Sequence, residues 1–309
     1  MNTIGFVGLG IMGKPMAANL VKKGCDLVVY DLNAAAVSEL AAMGAKPLSP
    51  RSIGESCDLI FTILPSGAIV KDVLFGTDGI ASGMKRGGLV VDMSSVTPGD
   101  SKYCAEKLNS KGVAFLDAPV SGGEPKAIDG TLSFMVGGES AGFETALPYF
   151  KMMGTSVVLV GKSGSGSVAK LVNQIIVNNT IAVISEAFVF AAKAEVDPVR
   201  VFEAIKGGLA ASELLNRKIP MVVERNFTPG GKMSINLKDI KNVMATAHEI
   251  DVPLPYTAQL LEIMQGLKIA DGLDLDHCSI VHHFEKLAGV EVRKKEAESG
   301  EPASIDRRP

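Results

Sequence analysis

The stretch TIGFVGLGIMG, residues 3–13, runs from a short apolar strand pattern directly into the motif G-x-G-x-x-G. A helical apolar pattern follows over residues 16–21, and a second apolar run, residues 26–30, ends at Asp31. With 33 glycines in 309 residues, the motif alone is a weak signal. Strand, glycines, helix, strand and acid in this order nevertheless form the βαβ layout of a dinucleotide site. A glycine-rich turn without a ligand is the alternative.

Each glycine of the motif has its own expected role. Gly8 permits the tight turn, Gly10 lets the backbone approach a pyrophosphate, and Gly13 lets the helix and the strand pack closely. The free N–H groups and the dipole at the start of the helix would hold the diphosphate. Asp31 can accept a hydrogen bond from a ribose 2′-hydroxyl, and its charge would repel a 2′-phosphate. Because no arginine follows within residues 31–34, NAD is expected to be preferred, with NADP possible.

Strand and helix patterns continue to alternate beyond Asp31. Buried strands are predicted over residues 59–64, 89–92, 113–117, 131–136 and 157–160, with helices over 34–43 and from Pro98 onward after the cap Thr97. Continuous apolar strands that alternate with helices predict a mostly parallel sheet covered on both faces. The N-terminal half is therefore predicted to be an α/β domain of the Rossmann type.

The pattern changes at the Gly/Ser-rich segment 161–166, after which no strand is predicted. A long helix is expected over residues 167–193, with shorter ones over 197–207, 234–250, 255–270 and 277–288. We therefore expect a dinucleotide-binding domain over residues 1–162 and an all-helical substrate and oligomerisation domain over 163–292. The long helix begins this second domain. The charged segment 293–309 is expected to be a mobile tail.

Composition excludes several classes of protein. A net charge of −3 argues against a nucleic-acid-binding surface, which needs clustered basic residues. No basic region precedes the first strand, so a cytoplasmic location is expected. The four cysteines lack metal-ligand spacing and are expected to be reduced: Cys25, Cys57, Cys104 and Cys278. The histidines lie outside the motifs, so we expect structural roles and no metal: His248, His277, His282 and His283.

One segment has the length of a membrane span. Residues 171–192 carry a single formal charge, at Glu186. Five polar residues would be costly in lipid: Asn173, Gln174, Asn178, Asn179 and Thr180. A buried helix explains this composition better, so no membrane association is expected.

The best candidate for proton transfer is Lys170, in the run Gly164-x-Gly166-x-x-x-Lys170-x-x-Asn173-Gln174. Lys170 and Gln174 are four residues apart and share a helix face. A lysine between apolar turns is poised to be partly desolvated, and its ammonium can protonate a carbonyl oxygen as hydride arrives. A surface lysine at the start of a helix is the simpler alternative.

Two further segments could carry chemistry. The run DAPVSGG, residues 117–123, follows a strand end, where doubly wound sheets bind ligands. Ser121 with the bare N–H groups of Gly122 and Gly123 would seat a carboxylate, although an ordinary Pro/Gly loop is the alternative. The pair Lys238-Asp239 lies early in a predicted helix and could be a simple surface pair.

These motifs together resemble the β-hydroxyacid dehydrogenase family over about residues 3–292. The resemblance implies that Lys170 is the catalytic proton donor in reduction and the acceptor in oxidation. It implies substrate binding by Ser121, Gly122, Gly123, Asn173 and Gln174. The implied cofactor-binding residues are Gly8, Leu9, Gly10, Ile11, Met12, Gly13, Asp31, Asn33, Leu64, Pro65, Ser95 and Lys238. Among these, Ser95 would lie between nicotinamide and substrate, and Lys238 would close over the cofactor.

Two positions depart from the family pattern. Gln174 stands where relatives usually carry asparagine, and Gly231 stands where relatives often have an aromatic residue.

The implied substrate is a small carboxylate-bearing semialdehyde or the corresponding β-hydroxyacid. The run 117–132 favours 2-hydroxy-3-oxopropionate (tartronate semialdehyde), reduced to D-glycerate. The alternatives are 3-hydroxyisobutyrate, 2-(hydroxymethyl)glutarate and 4-hydroxybutyrate. A non-catalytic NAD-binding scaffold is a remote alternative, because such relatives lose the lysine. The apolar helical half suggests a homo-oligomer, either a dimer or a tetramer.

Overall fold

A single sheet organises the first half of the chain in this computed structural model, which describes residues 3–270 and 272–294. Its strands are β1 (Ile4–Val7), β2 (Leu27–Tyr30), β3 (Lys46–Pro47), β4 (Leu59–Thr62), β5 (Leu89–Asp92), β6 (Ala114–Asp117), β7 (Val120–Ser121), β8 (Leu132–Gly137) and β9 (Gly154–Gly161). Their spatial order is β3-β2-β1-β4-β5-β6-β8-β7, with β9 paired to β8. Strands β1 to β6 pair with one another in parallel, whereas β8 runs antiparallel to β6 and β7. The predicted mostly parallel, Rossmann-type sheet is confirmed.

Both faces of this sheet are buried, because successive side chains of a strand point to opposite sides. On β1, Ile4 and Phe6 join one apolar core, whereas Val7 joins the other. The covering helices are α1 (Gly13–Lys22), α2 (Ala34–Ala42), α3 (Pro50–Ser56), α4 (Gly67–Phe75), α5 (Ile80–Gly83), α6 (Pro98–Asn109), α7 (Gly123–Asp129) and α8 (Ser140–Met153). The predicted start of α6 is confirmed, since Thr97 Oγ1 accepts a hydrogen bond from the Asp100 N–H at 3.1 Å.

The regular elements among the described residues after β9 are helices. The helices are α9 (Ser165–Lys193), α10 (Pro198–Ile205), α11 (Glu213–Val223), α12 (Met233–Glu249), α13 (Pro255–Ile269) and α14 (Val281–Ala288), with short 3₁₀ turns at Gly272–Asp274 and His277–Ile280. The five helices predicted from periodicity are all present. Helix α11 was not predicted, and it contains Pro220 in its interior.

The described chain forms two compact units that are not continuous in sequence. Residues 3–176 and 235–258 belong to the first unit, and residues 177–234, 259–270 and 272–294 belong to the second. The division falls within α9, whose first turns are hydrogen-bonded to β6. The predicted domain limits at 162 and 292 stay a prediction. Residues 295–309 of the predicted tail lie outside the described residues.

Helix α9 is long and apolar enough, by length and composition, to cross a membrane, with a mean hydropathy of 1.7 over its most apolar window. This is weak evidence, because core helices of soluble proteins have the same composition. The polar residues Gln174, Asn178 and Ser185 lie on its buried side, which is the arrangement expected of a helix packed within protein.

Candidate active site

The glycine-rich loop lies where β1 ends and α1 begins. Gly8 has φ +99°, and an added Cβ would lie 2.1 Å from the Ile63 carbonyl oxygen. An added Cβ at Gly13 would lie 1.9 Å from the Gly8 carbonyl oxygen, so both glycines are needed by the fold itself. At Gly10, in contrast, no atom lies within 4 Å of an added Cβ. Gly10 therefore leaves open the space that a pyrophosphate would occupy.

Asp31 lies beside this loop, at the carboxyl end of β2. Its Oδ2 accepts a hydrogen bond from the Leu9 N–H at 2.5 Å, and its Oδ1 accepts one from the Asn33 N–H at 2.7 Å. Asn33 in turn caps α2, because its Oδ1 accepts from the Ala35 N–H at 3.1 Å. The open loop, the helix N-terminus and the adjacent carboxylate together fit a dinucleotide.

A buried carboxylate connects the loops that follow β4 and β5. Asp92 Oδ1 accepts hydrogen bonds from Thr62 Oγ1 at 2.7 Å and from Ser94 Oγ at 2.5 Å. Ser94 Oγ accepts from the Leu64 N–H at 2.8 Å. Burial raises the pKa of Asp92 to about 6, although these hydrogen bonds oppose the rise. The network fixes the backbone next to Leu64 and Ser95, two of the predicted cofactor residues.

Asp239 is the centre of a second polar cluster and is only 2% exposed. It accepts hydrogen bonds from Ser95 Oγ at 2.8 Å and from Gln174 Nε2 at 2.6 Å. Lys238 Nζ lies 3.0 Å from Asp239 Oδ1 and donates to the Ser95 carbonyl oxygen at 2.7 Å. Asn173 Nδ2 donates to Gln174 Oε1 at 2.9 Å. The interpretation of Lys238-Asp239 as a surface pair is therefore wrong, because the carboxylate is buried among donors from three segments.

Lys170 lies in the second turn of α9 and is half-buried. Its Nζ donates a hydrogen bond to the Val120 carbonyl oxygen at 2.9 Å, so the side chain does not extend into solvent as a surface lysine would. Burial lowers the pKa of Lys170, the charge of Asp239 raises it, and the charge of Lys238 lowers it. The ammonium is thus partly desolvated, and its pKa responds to the charge of the Asp239 carboxylate.

The loop that Lys170 contacts continues directly into the predicted carboxylate seat. Ser121 follows Val120, and Gly122 and Gly123 follow with φ of +137° and +71°. Neither glycine has a side chain to shield its N–H group, and both lie at the start of α7. Backbone N–H groups in this setting form concave sites for anions. The Lys170 ammonium therefore contacts the short segment that carries the candidate anion site.

Gly231 lies in the other compact unit, where a buried acid anchors its segment. Asp276 Oδ2 accepts hydrogen bonds from the N–H groups of Gly230 at 2.9 Å and Gly231 at 3.2 Å. Lys218 Nζ donates to Asp276 Oδ1 at 2.8 Å. Burial lowers the pKa of the neighbouring His277 to about 4. Among residues 3–270 and 272–294, no group of three or more His, Cys, Asp or Glu side chains is placed to hold a metal ion.

No role is assigned from sequence to three carboxylates that the structure buries: Asp92, Asp117 and Asp239. A signal for the first two was present, because each ends an apolar strand run at the edge where ligands bind. Asp239 lies three residues after Asn236 and four before Val243, on the apolar face of α12. This spacing indicates burial rather than exposure.

The comparisons with known proteins agree with this architecture. Residues 3–161 match the family described as the NAD binding domain of 6-phosphogluconate dehydrogenase. Residues 164–284 match the family described as NAD-binding of NADP-dependent 3-hydroxyisobutyrate dehydrogenase. Fold and site thus define an NAD(P)-dependent oxidoreductase.

Individual relatives narrow this class. The chain is 41% identical to the 2-hydroxy-3-oxopropionate reductase of Escherichia coli K12, over 92% of this chain and 98% of that protein. It is 36% identical to the 2-(hydroxymethyl)glutarate dehydrogenase of Eubacterium barkeri, over 94% and 97%. The solved 3-hydroxyisobutyrate dehydrogenase of Mycobacterium tuberculosis superposes with a TM-score of 0.85 at 30% identity, covering 91% of this chain and 98% of that one. The chain belongs to the β-hydroxyacid dehydrogenase family.

Proposed function

We propose that the protein reduces 2-hydroxy-3-oxopropionate (tartronate semialdehyde) to D-glycerate, with Lys170 as the proton donor. The observation that carries this proposal is the 2.9 Å hydrogen bond from Lys170 Nζ to the Val120 carbonyl oxygen, one residue before Ser121. A substrate carboxylate held by Ser121, Gly122 and Gly123 would bring the rest of a small molecule to this ammonium.

The roles of the side chains follow from their charges and contacts. NAD(P)H, when bound at the glycine-rich loop, supplies the hydride. The Lys170 ammonium donates a hydrogen bond to the substrate carbonyl oxygen and transfers its proton as the alcohol forms. The neutral amine then regains a proton from solvent, and in the oxidative direction it accepts the proton of the hydroxyl group. Burial lowers the pKa of Lys170 and so makes the ammonium a stronger acid, while the charge of Asp239 opposes this shift.

The neighbouring residues position these partners. Gln174 and Ser95 donate to Asp239 and so hold the carboxylate whose charge raises the pKa of Lys170. We assign Leu64 and Pro65 to the lining of the nicotinamide site. The network of Asp92 fixes the backbone of Leu64 there.

A second substrate is favoured by one feature of the chain. Gly231 has no side chain where relatives often carry an aromatic residue, which favours a substrate larger than tartronate semialdehyde. The relative from Eubacterium barkeri is named for 2-(hydroxymethyl)glutarate, whose oxidised form is 2-formylglutarate. The family matched by residues 164–284 and the solved relative are named for 3-hydroxyisobutyrate, but no feature of this chain singles out that alternative or 4-hydroxybutyrate.

A spectrophotometric screen tests the proposal. NADH oxidation is followed with tartronate semialdehyde, methylmalonate semialdehyde, succinate semialdehyde and 2-formylglutarate under one set of conditions. We expect the highest kcat/KM with tartronate semialdehyde. The highest value with 2-formylglutarate would establish the second candidate instead. NADH binding without oxidation by any of the four would support the non-catalytic scaffold and overturn the proposal.

We also propose a homo-oligomer in the cytoplasm, without a membrane or nucleic-acid partner. Within the second compact unit, Val183, Phe190 and Leu209 are 63%, 77% and 109% exposed, and apolar side chains this open commonly mark a subunit interface. Light scattering coupled to size exclusion tests the assembly. Phe190→Glu should shift it towards the monomer, and a monomeric wild-type protein would contradict the proposal.

A further inference from the structure

We propose that Asp117 is a positioning residue that sets the place of the Lys170 ammonium by capping α9 from a neighbouring strand. The inference rests on the proposed role of Lys170 as proton donor. Asp117 is the last residue of β6 and is 1% exposed. Its Oδ1 accepts a hydrogen bond from the Gly164 N–H at 2.7 Å, and its Oδ2 accepts one from the Ser167 N–H at 2.8 Å. Both oxygens therefore hold the start of one helix.

In the described part of the chain, no side chain next to the start of α9 caps the first N–H groups of the helix, so a residue distant in sequence does so. The first N–H groups of a helix have no partner within the helix and are usually capped by the side chain just before it. Here that position is Gly164, which has no side chain. The carboxylate of Asp117 replaces the missing cap, and its negative charge suits the positive end of the helix dipole. The cap thus joins α9 to β6 across 47 residues of sequence.

Two glycines allow the helix to come this close. An added Cβ at Gly166 would lie 2.3 Å from the Met135 carbonyl oxygen and 2.4 Å from that of Asp117. An added Cβ at Gly137 would lie 2.6 Å from Asp117 Oδ1. Gly166 of the run 164–170 is therefore explained by packing against β6 and β8. The fit leaves little room for α9 to slide or rotate.

The cap and the lysine contact form two links between the same pair of segments. Ser167, held by Asp117, lies three residues before Lys170, and Val120, which accepts from Lys170, lies three residues after Asp117. A displacement of the start of α9 would therefore also displace Lys170 Nζ, because Lys170 lies only one turn further along the helix. Misplacement of a reacting group by about 1 Å can lower the rate by about 100-fold. Asp117 acts through Lys170 and is not expected to touch substrate.

A double-mutant cycle separates this role from a purely structural one. Asp117→Asn puts an amide N–H₂ group against one of the two backbone N–H donors and breaks that hydrogen bond. We expect kcat to fall by about tenfold or more while the Kd for NADH stays within about threefold. In the Lys170→Ala background, Asp117→Asn should change kcat by less than about twofold, because the lysine it positions is gone.

Controls make the outcome decisive. Ser49→Ala removes the cap of α3, where Ser49 Oγ accepts from the Ser52 N–H, and should lower Tm without changing kcat. If Asp117→Asn does not fold, Gly166→Ala offers the same test, because its Cβ displaces the helix start without altering a charge. Wild-type kcat in a folded Asp117→Asn, or equal losses in both backgrounds, would overturn the inference. Normal turnover by Lys170→Ala alone would instead overturn the proposed function.

Discussion

Gln174 Nε2 and Asp239 Oδ2 are 2.6 Å apart, and their hydrogen bond joins the face of α9 that carries Lys170 to α12. Gln174, which is longer than the asparagine of the family pattern, thus donates a hydrogen bond to a defined partner, Asp239. Asp239 also accepts from Ser95, and its charge opposes the lowering of the Lys170 pKa by burial. The acid strength of the proposed proton donor is therefore set by a cluster that the amide helps to hold.

The pH dependence of reduction should respond to Asp239. Reduction requires the ammonium form of Lys170, so activity is lost as pH rises through its pKa. Asp239→Asn removes the charge that raises this pKa, so the alkaline limb of the kcat/KM profile should move to lower pH. The measurement is kcat/KM for NADH oxidation with the best substrate over the pH range in which the wild-type activity falls.

A matched variant should move the same limb in the opposite direction. The charge of Lys238 lowers the pKa of Lys170, so Lys238→Met should shift the alkaline limb to higher pH, whatever its effect on cofactor affinity. Shifts of the same sign in both variants, or no shift in either, would contradict the assignment of this limb to Lys170.

Two glycines of the nucleotide loop should behave differently when replaced by alanine. Gly10→Ala should leave Tm unchanged, because its Cβ enters open space, and should weaken NADH binding by about tenfold or more. Gly13→Ala should lower Tm, because its Cβ would meet the Gly8 carbonyl oxygen at 1.9 Å. Thermal shift assays with and without NADH check both expectations. Undiminished NADH affinity in Gly10→Ala would place the pyrophosphate elsewhere.

Cofactor preference should depend on Asp31. Its carboxylate lies beside the Leu9 N–H and would repel a 2′-phosphate, so Asp31→Ser should raise the NADP/NAD ratio of kcat/KM by about tenfold. Asp26→Asn, just before the other end of β2, where Thr3 and Lys46 contact it, is the control and should not change the ratio. An unaltered ratio in Asp31→Ser would show that other residues select the nucleotide.

Stability should fall with pH because of Asp92. Burial raises the pKa of Asp92 from 3.8 to about 6 in the folded protein. Between these pH values the carboxyl group is ionised in the unfolded state and still protonated in the folded state, so rising pH favours unfolding. Over this window, wild type should lose up to about 3 kcal/mol of unfolding free energy relative to Asp92→Asn. Thr62→Val removes a hydroxyl that favours the charged form and should enlarge the loss. Urea denaturation at several pH values tests this, and a pH-independent difference from Asp92→Asn would contradict it.

Much of the sheet could be predicted from sequence because its central strands are continuous apolar runs. Strands β3 and β7 have two residues each, too few to show a periodicity. Helix α11 is hard to predict because a proline usually ends a helix, whereas α11 includes Pro220 and ends only at Val223. Local pattern therefore predicts long elements and fails where an element is short or contains a breaker.

Several residues of the candidate site could be predicted from the sequence, but the hydrogen bonds between them could not. Lys170 and the loop 117–123 stand out by residue type, but their contact joins positions 50 residues apart. Asp239 meets Gln174 across 65 residues, and one sequence does not show which distant polar groups pair. The sequence signals the burial of Asp92, Asp117 and Asp239, but only the structure shows which donors each carboxylate accepts from.

The central claim is that the Lys170 ammonium supplies the proton, and Lys170→Ala tests it most directly. Steady-state turnover and the Kd for NADH are measured together, with the exposed Lys162→Ala as the control. We expect an NADH affinity close to wild type, a kcat lowered by about 100-fold or more, and partial recovery on addition of a small primary amine. Near-normal turnover by Lys170→Ala would contradict the account.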